Sequence, residues 1–250
     1  MPDIIDLISR WWKRMLAVIV LSLLTVGIIT FLKPRQYLSI STAVPASSFA
    51  SDKAKIFNEN IHALYSTLGT PDDLDMILGT ANLDTLYLFV ADQFNLFDHY
   101  RMKEKGDAAR TKASFYLKKN TKVMKSEYGE LKVKVWDTDK NLAPQLANAI
   151  MDILNNIHQN LQNQGNKSAL NALLIARQKT KTYVDSVSTR WMFADSWMPD
   201  TSYLDASKMQ LRKYEKLISE YQLMVDSKPP VLIVVEKAKP TNWPDKPRRM

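Results

Sequence analysis

Residues 15–32, MLAVIVLSLLTVGIITFL, run for eighteen positions without a charge. Wound as a helix, this stretch is about 27 Å long, against a hydrocarbon core of roughly 30 Å. Trp11 and Trp12 precede it, where indole rings favour the headgroup layer. Lys13 and Arg14 close one end, Lys33 and Arg35 the other, and Pro34 stops the helix. A buried core helix rarely carries so long an uncharged run between pairs of positive charges. A cleaved leader has an apolar core of about 7–15 residues with a small-x-small cleavage site close behind. The nearest such site here, Ala43 to Ala46, lies beyond Lys33-Pro34-Arg35. The stretch therefore predicts an uncleaved transmembrane anchor. Three positive residues before it (Arg10, Lys13, Arg14) against two after it place the N-terminus inside and residues 36–250 outside the cytoplasmic membrane. Residues 3–12, DIIDLISRWW, form an amphipathic lead-in, either lying on the leaflet or making the first turns of the span.

The rest of the composition narrows the chemistry. With no cysteine, the chain has no disulfide, thiolate nucleophile or Cys-type zinc site. Three histidines, His62, His99 and His158, leave little for a metal centre, and six glycines form no phosphate-binding loop. No metal and no cofactor is expected. Of the net charge of +8, residues 1–35 hold five basic and two acidic residues, and the rest is scattered. Without a long Lys/Arg run, nucleic acid is not the expected partner; an anionic glycan or anionic lipid is compatible with this charge.

Beyond the anchor, Tyr37 to Val44 reads as a strand leaving the membrane, and residues 45–51 as a loop. Helical spacing follows over Lys53–Leu68 and Pro71–Leu78. In the second, Thr70 is placed to cap, and Asp72, Asp73 and Asp75 suit a helix N-terminus better than a metal. Leu83, Leu86, Phe89, Val90, Phe94 and Phe97 recur as a core stripe, and a basic helix covers Asp107–Lys119. The clearest β signal is a half-buried antiparallel hairpin turning at Glu127-Tyr128-Gly129-Glu130. Leu131, Val133 and Val135 point one way, and Lys132, Lys134 and Trp136 the other.

Asp137, Thr138 and Asp139 then end the strand and cap a helix whose apolar face is Leu142, Leu146, Ile150, Ile153, Leu154, Ile157 and Leu161. His158 on that helix reads as a surface or interface residue. Gln162 to Asn166 predicts at least a kink. Two long polar helices with thin apolar stripes follow, over Lys167 to about Phe193 and Thr201 to Val225, joined near Trp191, Trp197, Met198 and Pro199. Helices so polar must protrude or pack on copies of themselves. Pro229-Pro230 stop the second, and Val231 to Val235 predicts a buried central strand. The fold class expected is an α+β membrane-proximal domain, its sheet mixed or antiparallel, with a long protruding helical region and an N-terminal transmembrane helix. The boundaries are 1–14 for the lead-in, 15–32 for the span, 33–140 with 229–240 for the α/β part, 141–228 for the long helices and 240–250 for a Pro-rich basic tail.

This layout resembles the chain-length determinant family, the Wzz-like polysaccharide co-polymerases of bacterial envelopes. Four stretches carry the likeness: the anchor with its Lys33-Pro34-Arg35-Gln36-Tyr37 exit, the hairpin-to-helix unit LKVKVWDTDKNLAPQLANAIMDIL, the long polar helices, and VLIVVEKAKPTNWPDKPRR with Pro240, Pro244 and Pro247. In the family such a proline-rich stretch leads into a second membrane helix, which the resemblance places beyond Met250. The resemblance also implies a homo-oligomer in the inner (cytoplasmic) membrane with its bulk outside. It implies a role in setting the length of O-antigen, capsule or exopolysaccharide beside a polymerase, with a lipid-linked glycan as a further possible partner, and no catalytic residue. A second reading within the same external fold is an adaptor for a cytoplasmic tyrosine autokinase in capsule export. A third, an anchored hydrolase using Asp137 and Asp139 as acid and base, competes with simple capping at a strand-to-helix turn.

Overall fold

In the computed structural model the described residues are 4–46, 73–192 and 202–247. The first helix, α1 (Ile4–Leu32), is 29 residues long, so lead-in and apolar run are one continuous element of about 44 Å. Its large apolar side chains at Met15, Leu16, Val18 to Leu21, Leu23, Leu24, Val26, Ile28 and Phe31 are exposed. Eighteen of its residues, Trp11–Ile28, are apolar enough to cross a membrane, and none is buried in the fold. Two hydroxyls in this run bond inside the helix. Ser22 Oγ donates to the Ile19 carbonyl and Thr25 Oγ1 to that of Ser22, each at 2.8 Å. Such pairing removes the cost of a bare donor in lipid.

Strand β1 (Tyr37–Pro45) leaves α1 and is followed by α2 (Asp73–Ala81), α3 (Asp84–Gln93), the single turn α4 (Leu96–His99) and α5 (Asp107–Lys119). The hairpin β2 (Thr121–Lys125) and β3 (Leu131–Asp137) feeds α6 (Leu142–Met192), which is followed by α7 (Ser202–Ser227) and β4 (Leu232–Glu236). Among the described residues, the four strands form one antiparallel sheet in the order β2-β3-β1-β4. The hairpin turns at Gly129, whose φ of +75° is open to glycine at little cost, and the Gly129 amide donates to the Ser126 carbonyl at 3.0 Å.

One face of the sheet is covered and the other is open. Leu131, Val133 and Val135 are buried, while Lys132, Lys134 and Trp136 are only half-buried, as the alternation predicts. The β1 residues opposite the buried three are small: Ser39 faces Val135, Ser41 faces Val133 and Ala43 faces Leu131. Against this side pack Leu146, Ala147, Ile150, Met151 and Leu154 of α6, with Leu74 and Ile77 of α2, Leu86 and Val90 of α3, and Leu117 of α5 in the same core. Fully burying each large aliphatic side chain is worth about 1.5–3 kcal/mol.

Several expectations need correction. The stripe through 83–97 is divided between two helices and only partly core, because α3 ends at Gln93 and Asn95 takes a left-handed conformation. The inward residues of α3 are Leu86, Tyr87, Val90 and Ala91, so Phe89, half a turn from Tyr87, is 60% exposed and Leu83 54%. The helix is not interrupted at 162–166; α6 is a 51-residue helix through Gly165. His158 is buried, at 3% exposure, because it stands four residues beyond buried Leu154 on the inward face, whereas Leu161 is exposed. Finally, 231–235 does not make a central strand. β4 is the sheet edge beyond β1, and Val235 is 59% exposed.

The expected helix at 53–68, the cap at Thr70 with Pro71 and Asp72, and the 193–201 joint with Trp197, Met198 and Pro199 lie outside the described residues.

Candidate functional site

The chain returns to the place where it left α1. After β4, the segment 237–247 runs antiparallel beside β1. Asn148 of α6 grips it at Ala238, whose amide donates to Asn148 Oδ1 at 2.8 Å while Asn148 Nδ2 donates to its carbonyl at 3.2 Å. Ser39 Oγ donates to the Lys239 carbonyl at 3.0 Å and Thr241 Oγ1 to that of Leu38 at 3.2 Å. The run ends in a bridge between Gln36 and Lys246. The Gln36 amide donates to the Lys246 carbonyl at 2.8 Å, and the Asp245 amide donates to the Gln36 carbonyl at 2.8 Å. Gln36 is four residues past the end of α1. Trp136 locks the arrangement, its indole N–H donating to Asp245 Oδ2 at 2.7 Å while the Lys246 ammonium sits 3.9 Å from its ring centroid.

Of the proline-rich residues, Pro240 and Pro244 therefore lie on this return path beside β1, and Pro247 follows Lys246 through a cis peptide bond. Proline lacks an amide donor, which suits a segment that pairs with β1 through only a few contacts. Trp11, Trp12, Lys13 and Arg14 lie on α1, with the Arg14 guanidinium 4.5 Å from the Trp11 ring centroid. Lys33 and Arg35 lie between α1 and β1. The structure thus brings the tail beside Lys33 and Arg35 in the chain, at the foot of β1.

Between the open sheet face and the return segment lies a groove of about 640 Å³. Lys132, Lys134, Lys237 and Lys239 line it, with carboxylates Glu236 and Asp245 and the side of Trp243. Lys132 is held by Glu130 at 2.8 Å, which keeps the Glu130 carboxyl below its ordinary range. Lys134, Lys237 and Lys239 have no ion-pair partner among the described residues. Trp243 is 85% exposed. This groove was not foreseen as a site; the alternation Lys132/Lys134 on one strand face and the spacing of Lys237 and Lys239 were its signal.

Asp137 is the other correction. It is more than a helix cap, because its buried carboxylate collects a cluster. Tyr100 OH donates to Oδ2 at 2.8 Å, the His99 imidazole Nε2 lies 3.0 Å from Oδ1, and the Asp139 amide donates to Oδ1 at 2.9 Å. Burial first, then the neighbouring Asp137 charge, pushes the Tyr100 hydroxyl far above its ordinary value. Asp139 does act at the helix start, accepting from the Asn141 amide at 2.8 Å. With every oxygen of Asp137 engaged in tying α4 and the turn before α6 to β3, the pair reads as a structural joint and not as an acid and base. Among the described residues no group of three or more His, Asp or Glu is placed to hold a metal.

No protein-family model and no curated protein matches the chain. Among solved structures, the chain is similar to two polysaccharide co-polymerases and a chain-length regulator. A full-length bacterial polysaccharide co-polymerase is 13% identical with a TM-score of 0.38, over 99% of this chain and 90% of that one. A fragment of WzzB, the polysaccharide co-polymerase of Salmonella Typhimurium, is 10% identical with a TM-score of 0.41, over 85% of this chain and all of the fragment. A point mutant of the Shigella flexneri lipopolysaccharide O-antigen chain-length regulator WzzBSF is 10% identical with a TM-score of 0.29, over 84% of this chain and all of that one.

Proposed function

We propose that this chain is a membrane-anchored, non-catalytic regulator of polysaccharide chain length. It sits in the inner membrane of a bacterium with its bulk outside the cytoplasm, and it acts as an oligomeric scaffold beside a polymerase. The observation that carries this reading is the Gln36–Lys246 bridge. The order anchor, strand, hairpin-to-helix unit and proline-rich return is the layout that the sequence resemblance names. The bridge supports it by closing that layout into a unit whose return segment meets the exit of α1. The helices α6 and α7 pack on each other. They still leave Leu161, Leu174, Ile175, Tyr203, Met209 and Leu223 exposed, apolar surface that a second copy would cover. The joint at Asp137 favours a scaffold over a hydrolase, because its groups are spent on one another.

Deleting the gene is expected to change the length distribution of a surface polysaccharide on a gel, and the intact gene to restore it. An unchanged ladder would count decisively against the proposal.

A further inference from the structure

The groove between the open sheet face and the return segment has chemistry of its own. Three of its four lysines, Lys134, Lys237 and Lys239, lack an ion-pair partner among the described residues. Of its two carboxylates, Asp245 already accepts the Trp136 indole N–H. Four lysines against the carboxylates of Glu236 and Asp245 leave the groove net positive, and an anion relieves the repulsion among its ammonium groups. Trp243, which lines the groove, is almost wholly in solvent, an unfavourable place for so large an apolar ring unless it meets an interface.

Location selects the anion. Leu38, on the groove wall, is six residues past the end of α1, at most about 20 Å of extended chain. Lysine stems of about 6 Å can reach back toward the surface with their ammonium groups in the polar layer. We propose that this groove binds the phosphate-bearing headgroups of anionic phospholipid in the bilayer that α1 enters, with Trp243 resting at the interface beside them. The proposal rests on the reading of α1 as a membrane anchor. Its consequence is mechanical: headgroups held in the groove fix the tilt of the sheet, and so the direction of α6, relative to the membrane.

The test uses the full chain in lipid nanodiscs that contain phosphatidylcholine with a nitroxide on its headgroup, with or without one-third phosphatidylglycerol. The Trp243 signal is the fluorescence difference between the natural chain and Trp243→Phe. Quenching of that signal is expected to rise at least twofold with phosphatidylglycerol. The rise should vanish in 1 M salt, where the screening length is about 3 Å. It should also be lost in the triple variant Lys134→Gln, Lys237→Gln, Lys239→Gln, and partly lost in Lys239→Gln alone, with circular dichroism unchanged. Each lysine neutralised is expected to weaken headgroup binding roughly fivefold. Discs that hold the chain yet show equal quenching with both lipid compositions would overturn the proposal and leave the anchor standing. A chain that fails to stay with the discs would overturn both. If polygalacturonate perturbs Trp243 in phosphatidylcholine discs while phosphatidylglycerol does nothing, the groove belongs to an acidic glycan and the lipid assignment is wrong.

Discussion

Asp137 and Asp139 stand two residues apart and do different work. Replacing Asp137 with alanine strands Tyr100 OH and one His99 nitrogen in a half-buried to buried setting. A loss of about 2–4 kcal/mol is expected, read as a lower urea midpoint. Asp139→Ala removes only an acceptor for the Asn141 amide and is expected to cost about 1 kcal/mol. Equal costs would mean that Asp137 is a cap and no more. Two tyrosines set the alkaline limit. Burial, then Asp84, pushes Tyr87 up to about 12, and its hydroxyl donates to the Ala81 carbonyl. Tyr100 is raised further in the same direction. Because the folded values exceed the unfolded one of about 10, the protonated forms stabilise the fold fully below that pH, and the contribution is lost as pH rises through the folded values. Urea midpoints should fall between about pH 10 and 12, and Tyr87→Phe with Tyr100→Phe should flatten the slope. Of this residue-level detail, the strand alternation around Lys132 to Trp136 was legible in sequence. The role of Asp137 was not, since His99 and Tyr100 are nearly forty positions away and meet it only once α4 has packed against α3 and α5.

At the scale of elements, α6 is the clearest case of propensity overruled. Asn163, Gly165 and Asn166 are poor helix formers, and the run from Gln162 to Asn166 predicts an interruption, yet the helix runs through it. Its N-terminal half is fixed by burial, and its later turns pack on α7, so continuing the hydrogen-bond ladder outweighs local cost. A β-carbon added at Gly165 would meet nothing within 4 Å. Gly165→Ala is therefore expected to stabilise the protein by about 0.5–1 kcal/mol, seen as a raised melting temperature. If alanine there destabilises, the helix is not continuous at 165. β4 was misjudged for a related reason. An apolar run of five residues fits a central strand, but the sheet places it at the edge, where two helix side chains replace a neighbouring strand. Asn155 Oδ1 accepts the Val231 and Leu232 amides at 3.1 and 2.9 Å, and Asn148 holds Ala238 from two turns earlier on α6. Those asparagines hold the edge strand at its start and just past its end. Asn155→Leu is expected to lower stability by about 2 kcal/mol and to speed amide exchange at 231 and 232.

At the scale of the molecule, the chain makes one circuit: out along β1, through the helices and hairpin, along α6 and α7, and back beside β1 to Gln36. Asp245 ties the last step to Trp136. Asp245→Ala is expected to loosen only that return. Amide exchange at Gln36 and at position 245, whose N–H groups make the bridge, should speed several-fold while the far-ultraviolet spectrum holds; unchanged exchange would show that the proline-rich path alone fixes it. Under the scaffold reading, Leu174→Asp with Ile175→Asp is expected to reduce the mass of the detergent-solubilised particle towards that of one chain, measured by light scattering.

What the sequence determined by itself was everything set by neighbours along the chain. The apolar run at 15–32, the helix at 107–119 and the turn at Gly129 follow from local periodicity, charge and backbone freedom, which need no distant partner. The tertiary structure alone decided what depends on residues far apart in number. It set the edge position of β4, the burial of His158, the Asp137 cluster and the meeting of Lys246 with Gln36. Each of those is fixed by which surfaces remain free once the core has closed, and a linear pattern does not carry that information.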